Sequence, residues 1–232
     1  DDESVKKAIN SSEDQISTIP AGVPGTTPFT RGIKRTGNEN GTWDIRALID
    51  DSTTELANAA ALNELLNGST SLFIDSEKIG IKSVADLDKT LEEVFLNMTS
   101  IWFKPGLKGS EIAKWMIELW DQRGTGNSER HGGLGVDPIG VSVQKGIQSE
   151  HDSELSELPD FIDRSGFAKV IDIDSSFYPE LSGSTSAELA YSLSAAVFYL
   201  RELEEKDLGI ETITKKMYFT YSSNSDQYMT IA

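Results

Sequence analysis

The stretch 170–209 constrains the fold of this chain more than any other part of the sequence. Its first residues alternate between apolar and acidic side chains: Ile171 and Ile173 against Asp172 and Asp174. A period of two residues predicts a β-strand. Hydroxyl side chains at 184–186 then offer N-caps for a helix, and Gly209 is suited to end it. A strand, a loop and a helix in this order predict one βα unit.

The helix predicted in this unit is long and amphipathic. Apolar residues return at every third or fourth position, which places them along one side of a helix. That apolar face is formed by Leu189, Leu193, Val197 and Leu200. We name these four residues the leucine stripe.

The same alternation of strand and helix patterns runs through the rest of the chain. Further strands are predicted at 42–50, 71–75, 100–106, 133–138 and 215–222. Helices are predicted between them, with Ser52 and Ser110 as N-caps of two and Val141 as the start of another. The acidic stretch 148–160 predicts an exposed segment. The helix face that carries Trp115 and Trp120 indicates core or interface packing.

Six strands that alternate with helices predict an α/β fold with a parallel sheet. A doubly wound sheet would suit six strands, but the dinucleotide fingerprint after its first strand is missing. We therefore favour a (βα)8 TIM-type barrel with about six of its eight βα units present, because such barrels typically need ~250 residues. The chain lacks an initial Met and ends in the pattern of a starting helix, so we expect a piece of a longer polypeptide.

Two domains are predicted. Residues 20–32 contain three prolines and three glycines, which indicates extended loop. Residues 1–41 are accordingly interpreted as an extended N-terminal arm and loop, and residues 42–232 as the partial barrel.

Composition excludes several functions. The formal net charge of -17 argues against binding to nucleic acid or to an anionic membrane surface. The absence of cysteine excludes disulfides and thiolate metal sites. No apolar run approaches the ~18 residues that a membrane span needs. The sequence thus predicts a soluble, cytoplasmic protein.

Four sequence runs carry a resemblance to a known family. They are PFTRG at 28–32 with WDIR at 43–46, LGVDPIG at 134–140, AELAYSLSAAVFYLREL at 187–203, and SDQYMTIA at 225–232. In this order and at these intervals they resemble the methylmalonyl-CoA mutase family, and within it the small, β-type subunit of the heterodimeric bacterial enzyme.

The resemblance implies a barrel whose catalytic version threads acyl-CoA along its axis and interconverts methylmalonyl-CoA and succinyl-CoA. Adenosylcobalamin would lie on a separate C-terminal domain and start the radical reaction. The present chain lacks the Asp-x-His-x-x-Gly pattern of that domain. The cofactor is therefore expected on a catalytic partner and not on these residues.

This sequence departs from the catalytic pattern at the positions that matter. Leu48 stands where the catalytic subunit has a radical-caging tyrosine, and Phe177 where it has a histidine beside the thioester. Lys34 and Gly41 replace a CoA-contacting tyrosine and arginine. Leucine and phenylalanine donate no hydrogen bond and transfer no proton.

The resemblance therefore implies a non-catalytic small subunit that pairs with a homologous large catalytic subunit and stabilises it. The proline-rich residues 20–32 would extend across the partner as part of the arm, and acyl-CoA would be bound only by the partner.

The alternative is an independent barrel enzyme with a carboxylate or metal site near Asp172, Asp174 and Glu180. Carboxylates of this kind ligate Mg²⁺, but they also serve as polar barrel filling, where a close carboxylate pair raises at least one pKa. The two histidines, His131 and His151, lie outside this loop.

A small basic cluster gives a further open alternative. It consists of Arg31, Lys34 and Arg35. These residues would contact a phosphate, or they would form a solvated loop or a subunit contact.

Overall fold

A computed structural model describes residues 22–29, 32, 35, 43–147, 151–164, 166–182 and 185–223. The chain divides into two units, residues 1–44 and 45–232. In the first unit the described residues form turns: the Phe29 amide donates to the Thr26 carbonyl at 2.7 Å, and the Gly25 amide to the Gly32 carbonyl at 2.8 Å. The second unit contains the sheet.

Six strands form one sheet in which every neighbouring pair is parallel. The strands are β1 Arg46–Ile49, β2 Ser71–Asp75, β3 Ser100–Lys104, β4 Gly132–Val136, β5 Lys169–Asp174 and β6 Met217–Thr220. Their spatial order is β1-β2-β3-β4-β5-β6, the order along the chain. A doubly wound sheet would reverse its order at a switch point, so the predicted partial (βα)8 barrel is confirmed.

Helices connect all consecutive strands. They are α1 Thr54–Leu66, α2 Ser76–Ile79, α3 Val84–Thr90, α4 Gly109–Gln122, α5 Pro138–Lys145, α6 His151–Arg164, α7 Tyr178–Ser182, α8 Thr185–Glu204 and α9 Ile210–Lys216. Within the part of the chain that the structure describes, none of these helices has the length and apolar character needed to cross a bilayer.

The sheet is strongly curved. Trp102 on β3 and Tyr218 on β6 lie edge to face with ring centroids 5.1 Å apart, although β4 and β5 lie between their strands. In a flat sheet three strand spacings would separate the two backbones by ~14 Å, with the side chains perpendicular to the sheet. The contact therefore requires the curvature of a barrel wall.

The two faces of this wall differ in chemistry. Alternate strand residues pack under the helices and are buried: Ile49, Leu72, Ile74, Ile101, Phe103, Leu134, Val136, Ile171 and Ile173. Trp120 of α4 is buried with them and contacts Phe167 at 5.0 Å between ring centroids. The opposite face is more polar. We call it the inner face, and its residues are Arg46, Leu48, Phe73, Trp102, Lys104, Asp172, Asp174, Tyr218 and Thr220.

Three predicted helix starts were wrong. The N-cap of α1 is Thr53 and not Ser52, because the Thr53 hydroxyl accepts the Leu56 amide at 3.3 Å. Helix α4 has Lys108 at its N-cap, so Ser110 lies inside its first turn. Helix α5 starts at Pro138, before Val141, because Asp137 caps it and proline is favoured in the first turn.

The acidic stretch 148–160 was predicted to be exposed, and that was wrong for Leu155 and Leu158 within it. Helix α6 runs through it and buries apolar residues three or four positions apart: Leu155, Leu158, Phe161 and Ile162. This spacing turns one helical face inward while the intervening acidic residues stay outside.

The leucine stripe of α8 also departs from the prediction. Leu189, Leu193 and Val197 are 48%, 59% and 44% exposed, and Leu200 alone packs against the core. The buried face of α8 instead carries Glu188, Ser192, Ala196, Tyr199 and Leu203. Hydrogen bonds explain this rotation: Glu188 accepts the Ser222 amide at 2.9 Å, and the Ser192 and Tyr221 hydroxyls lie 3.1 Å apart.

Candidate functional site at the inner face of the barrel

A cation and two aromatic rings fill the inner face between β1, β3 and β6. The Arg46 guanidinium carbon lies 3.6 Å from the centroid of the Trp102 ring, a cation–π geometry. The Trp102 indole N–H donates to the Ser100 hydroxyl at 2.9 Å and so holds the ring in place. Tyr218 packs against the same indole. In this Arg46–Trp102–Tyr218 layer, the indole contacts both of the other side chains.

The glycines of β4 make room for this layer. A Cβ added to Gly133 would lie 2.4 Å from Cε3 of Trp102. One added to Gly135 would lie 2.0 Å from the Phe103 carbonyl oxygen on β3, and 3.3 Å from the Tyr218 hydroxyl. Gly135 has φ +69° in addition. Any side chain at Gly133 would displace the indole from its position.

Asp172 lies next to this layer and is almost fully buried. The Thr220 hydroxyl donates to its Oδ1 at 2.8 Å. Burial, with a smaller contribution from the nearby Asp174 and Asp137 carboxylates, raises the pKa of Asp172 to about 7, against the effect of the Thr220 hydrogen bond. The expected rise in a carboxylate pKa is thus present, but burial is its main cause. Asp172 acts chemically as polar barrel filling that is protonated in part at neutral pH.

Asp137 is the centre of a second buried network, which sequence reasoning missed. Its Oδ1 accepts the Tyr199 hydroxyl at 2.6 Å and the Gly140 amide at 3.0 Å, and its Oδ2 accepts the Asp174 amide at 3.1 Å. Burial raises the pKa of Asp137 to about 6 against the effect of these donors. The signal in the sequence was an N-cap aspartate followed by Pro138. The hydrogen bonds of Asp137 connect the end of β4 to α5, β5 and α8.

The carboxyl end of the barrel carries a shallow polar depression of about 340 Å³. Its wall includes three of the predicted site residues, Asp174, Phe177 and Glu180, together with Lys104. Asp174 accepts the amide and the hydroxyl of Ser176 at 3.0 and 2.5 Å. Asp172 lies apart from this wall, bonded to Thr220.

No metal centre is recognisable near these carboxylates. Within the described ranges, no group of three or more His, Asp or Glu side chains is placed to hold a metal ion. Glu180 is exposed, and Asp172 and Asp174 already accept hydrogen bonds from hydroxyl groups.

Phe177 lies in the turn after β5, where it is half-buried. Its ring contacts Tyr178 at 4.3 Å between centroids, and Tyr178 stacks on Tyr191 at 4.4 Å. Leu48 lies on the first strand, paired in register with Phe73, and is 53% exposed. Both residues present only hydrocarbon to their surroundings.

Of the remaining predicted residues, the structure describes His131, His151 and Arg35. His131 is exposed and precedes β4, at the amino end of the barrel, and His151 begins α6. Lys34, Gly41 and Arg31 lie outside the described residues, so the basic cluster is represented by Arg35 alone. Among the described residues, neither histidine lies at the carboxyl end of the sheet.

Comparison with known proteins agrees with this architecture. The sequence model of the family described as Methylmalonyl-CoA mutase matches residues 3–78 and 73–232. A "Methylmalonyl-CoA mutase small subunit" from Streptomyces virginiae is 32% identical over 231 residues, which is 95% of this chain and 37% of the relative. The small subunit from Propionibacterium freudenreichii subsp. shermanii is 27% identical over 215 residues, 91% of this chain and 33% of the relative.

A third relative is the "Probable methylmalonyl-CoA mutase small subunit" of Mycobacterium bovis. It is 26% identical over 230 residues, 97% of this chain and 36% of the relative. The chain thus spans about a third of the length of the curated relatives that it matches.

Proposed function

The chain belongs to the methylmalonyl-CoA mutase family, and we propose that it is the barrel portion of a non-catalytic small subunit. In this role it pairs with a homologous large subunit and stabilises it, while the large subunit interconverts methylmalonyl-CoA and succinyl-CoA. The relatives named above are small subunits, and such a name presupposes a larger partner.

The observation that carries the proposal is the pair Leu48 and Phe177. At these positions the family resemblance expects a tyrosine that cages a radical and a histidine beside the thioester. A barrel that stabilises a reactive intermediate needs hydrogen-bond donors aimed at it. Leu48 and Phe177 offer none.

The filled inner face supports the same proposal. An acyl-CoA chain threaded along the axis would have to pass the Arg46–Trp102–Tyr218 layer, whose members contact one another at 3.6 and 5.1 Å. Moving the indole aside would break its bond to Ser100 and its contact with Arg46. We therefore assign acyl-CoA and adenosylcobalamin to the partner.

The amino-terminal residues 1–41 are proposed as an extended arm that lies across the partner. Residues 20–32 are rich in proline and glycine, and the described residues among them form turns closed by their own hydrogen bonds, such as that from the Gly25 amide to the Gly32 carbonyl. Such an arm would contribute interface area without requiring a catalytic group from this chain.

The experiment measures the mass of the complex and assigns its activity. The full-length protein and the large subunit from the same organism are purified separately, mixed, and measured by native mass spectrometry. Each protein and the mixture are then assayed for mutase activity with adenosylcobalamin. A 1:1 complex is expected, with activity that requires the large subunit.

Two results would contradict the proposal. One is the absence of a complex at micromolar concentration. The other is turnover by this protein alone, which would direct attention to Asp172, Asp174 and Glu180. A variant that lacks residues 1–41 tests the arm, and it is expected to bind the partner more weakly while its sheet still folds.

A further inference from the structure

A cavity at the carboxyl ends of β2 and β3 has the opposite charge to the rest of the molecule. It has a volume of about 200 Å³, and its lining includes Lys82, Lys108 and Lys145 but one carboxylate, Glu77. The whole chain carries 21 lysines and arginines against 38 acidic residues. The lining of this cavity therefore has a net positive charge, whereas the whole chain has a net negative charge. We call this cavity the lysine cavity.

The cavity is shaped by a specific ion pair. The Lys145 ammonium at the end of α5 lies 2.5 and 2.7 Å from the two carboxylate oxygens of Glu77 on α2. Glu77 reaches this position because Gly106 has no side chain: a Cβ there would lie 2.8 Å from Oε2 of Glu77. The ion pair holds Lys145 at the cavity wall. Glu77 thereby neutralises one of the three positive charges around the cavity.

Lys82 and Lys108 supply the remaining charge. Both are exposed, and neither is joined to a carboxylate in the ion pairs found among the described residues. Lys108 is also the N-cap residue of the fourteen-residue helix α4, but its side chain makes no capping hydrogen bond to the helix. The positive end of the α4 dipole therefore adds to the field in the cavity.

The walls between the lysines are partly apolar. Ile81 is buried and Leu107 is half-buried, and both line the cavity. Apolar walls reduce the screening of charges by water, so an anion here interacts more strongly than on an open surface. Two unpaired ammonium groups and a helix terminus match an oxyanion with two charges.

We propose that the lysine cavity binds a phosphate group, either as free phosphate or as part of a phosphorylated small molecule. This goes beyond the proposed subunit function, since it requires neither the partner nor the inner face. The bound phosphate bridges Lys82 and Lys108 and stays apart from the carboxylate of Glu77.

The test is a calorimetric titration of the full-length protein with inorganic phosphate and with pyrophosphate at constant ionic strength. Saturable binding is expected, whereas acetate, with one charge, is expected to bind far more weakly. The double variant Lys82→Gln/Lys108→Gln should weaken phosphate binding by about tenfold or more, because it removes both of the unpaired charged donors. Lys114→Gln is the matched control on α4, since Lys114 pairs with Glu157 outside the cavity, and it should bind like the wild type.

A second variant keeps the test decisive if the double variant loses stability. Glu77→Gln removes the carboxylate that repels phosphate and competes for Lys145, so it should tighten binding. Absence of saturable phosphate binding would overturn the proposal, as would wild-type affinity in the double variant, equal affinity for acetate, or weaker binding in Glu77→Gln. Stronger binding of pyrophosphate than of phosphate would point to a phosphorylated small molecule as the natural ligand, and the reverse order to free phosphate.

Discussion

The Tyr199 hydroxyl donates to Oδ1 of Asp137 over 2.6 Å, and it accepts the Ile139 amide at 3.1 Å. Through these two bonds one buried phenol joins α8 to the start of α5 and to the carboxyl end of β4. Because the phenol is bonded to a buried carboxylate, the same contact links the packing of the barrel to pH.

Removal of this hydroxyl is expected to destabilise the fold. Tyr199→Phe removes one hydrogen-bond partner from the Asp137 carboxylate and one from the Ile139 amide. Because a hydrogen bond to a charged group contributes about 1.5–3 kcal/mol, the free energy of unfolding should fall by about this amount. The pKa of Asp137 is about 6, so the loss should be greater at pH 8, where the carboxylate is ionised, than at pH 5. Urea unfolding at both pH values measures it.

Tyr221→Phe is the matched control for Tyr199→Phe. It also removes a hydroxyl that contacts a residue of α8, but Tyr221 is exposed and its partner Ser192 is uncharged. A loss below about 1 kcal/mol is expected at either pH. Equal losses for the two variants would show that the Asp137 network does not stabilise the barrel.

The pKa of Asp172 predicts how stability changes with pH. Burial raises this pKa to about 7, while an unfolded aspartate has a pKa of about 3.9. Between these values the folded protein holds more protons than the unfolded chain, so the free energy of unfolding contributed by Asp172 falls as the pH rises. The contribution is fully present below about pH 4 and is lost through about pH 7.

Asp172→Asn should remove this dependence while its amide oxygen still accepts the Thr220 hydroxyl. The decrease in unfolding free energy from pH 5 to pH 8 should shrink by on the order of 2–3 kcal/mol relative to the wild type. Asp160→Asn, at an exposed position of α6, should leave the decrease unchanged. The groups that face Asp172 are Asp137, Asp174, Tyr218 and Thr220. An unaltered pH profile in Asp172→Asn would show that another carboxylate, such as Asp137, sets the pH dependence and that Asp172 does not.

Gly133 tests the aromatic layer. Gly133→Ala places a methyl group 2.4 Å from the Trp102 ring, and overpacking of this kind costs about 1–3 kcal/mol. Urea unfolding of Gly133→Ala, Trp102→Leu and the double variant completes a double-mutant cycle. The methyl group should cost less when the indole is absent, so the two losses should not add. Additive losses would mean that the indole is free to move.

The leucine stripe and the true core of α8 can be separated by one pair of variants. Leu193→Ala changes an exposed residue and should alter the unfolding free energy by less than about 0.5 kcal/mol. Leu203→Ala changes a buried residue on the same helix and should cost about 2–5 kcal/mol. A large loss for Leu193→Ala in the isolated protein would mean that the stripe is covered in solution.

Sequence periodicity predicted the strands of the barrel, because the alternation of apolar and polar residues indicates which side chains face the helices and which face inward. Ile171 and Ile173 did face the helices while Asp172 and Asp174 faced inward, and the six strands followed in the expected order. Periodicity failed on α8 because polar residues there are buried through specific hydrogen bonds. Glu188 and Ser192 look like surface residues in a sequence, yet they bind the end of β6.

The candidate site was predicted in part. The interpretation of positions 48 and 177 stays a prediction, because it depends on the family resemblance and on the inability of hydrocarbon side chains to donate a hydrogen bond. The Arg46–Trp102–Tyr218 layer was not predicted, because its members lie on strands far apart in sequence and meet only when the sheet curves. Gly133 and Gly135 were the available signal, since glycines inside a strand indicate a close approach by other groups.

Placing at 48 and 177 the tyrosine and histidine that the family resemblance implies should not create a mutase. Leu48→Tyr/Phe177→His supplies a phenol and an imidazole, but the inner face is still filled by Trp102, Arg46 and Tyr218. The full-length double variant, assayed alone with adenosylcobalamin, is expected to show no turnover. The reverse exchange in the proposed large subunit, with leucine and phenylalanine in place of the corresponding tyrosine and histidine, should abolish the activity of the complex. Turnover by the double variant alone would mean that the barrel admits acyl-CoA after all, and that Leu48 and Phe177 were the only obstacles to catalysis.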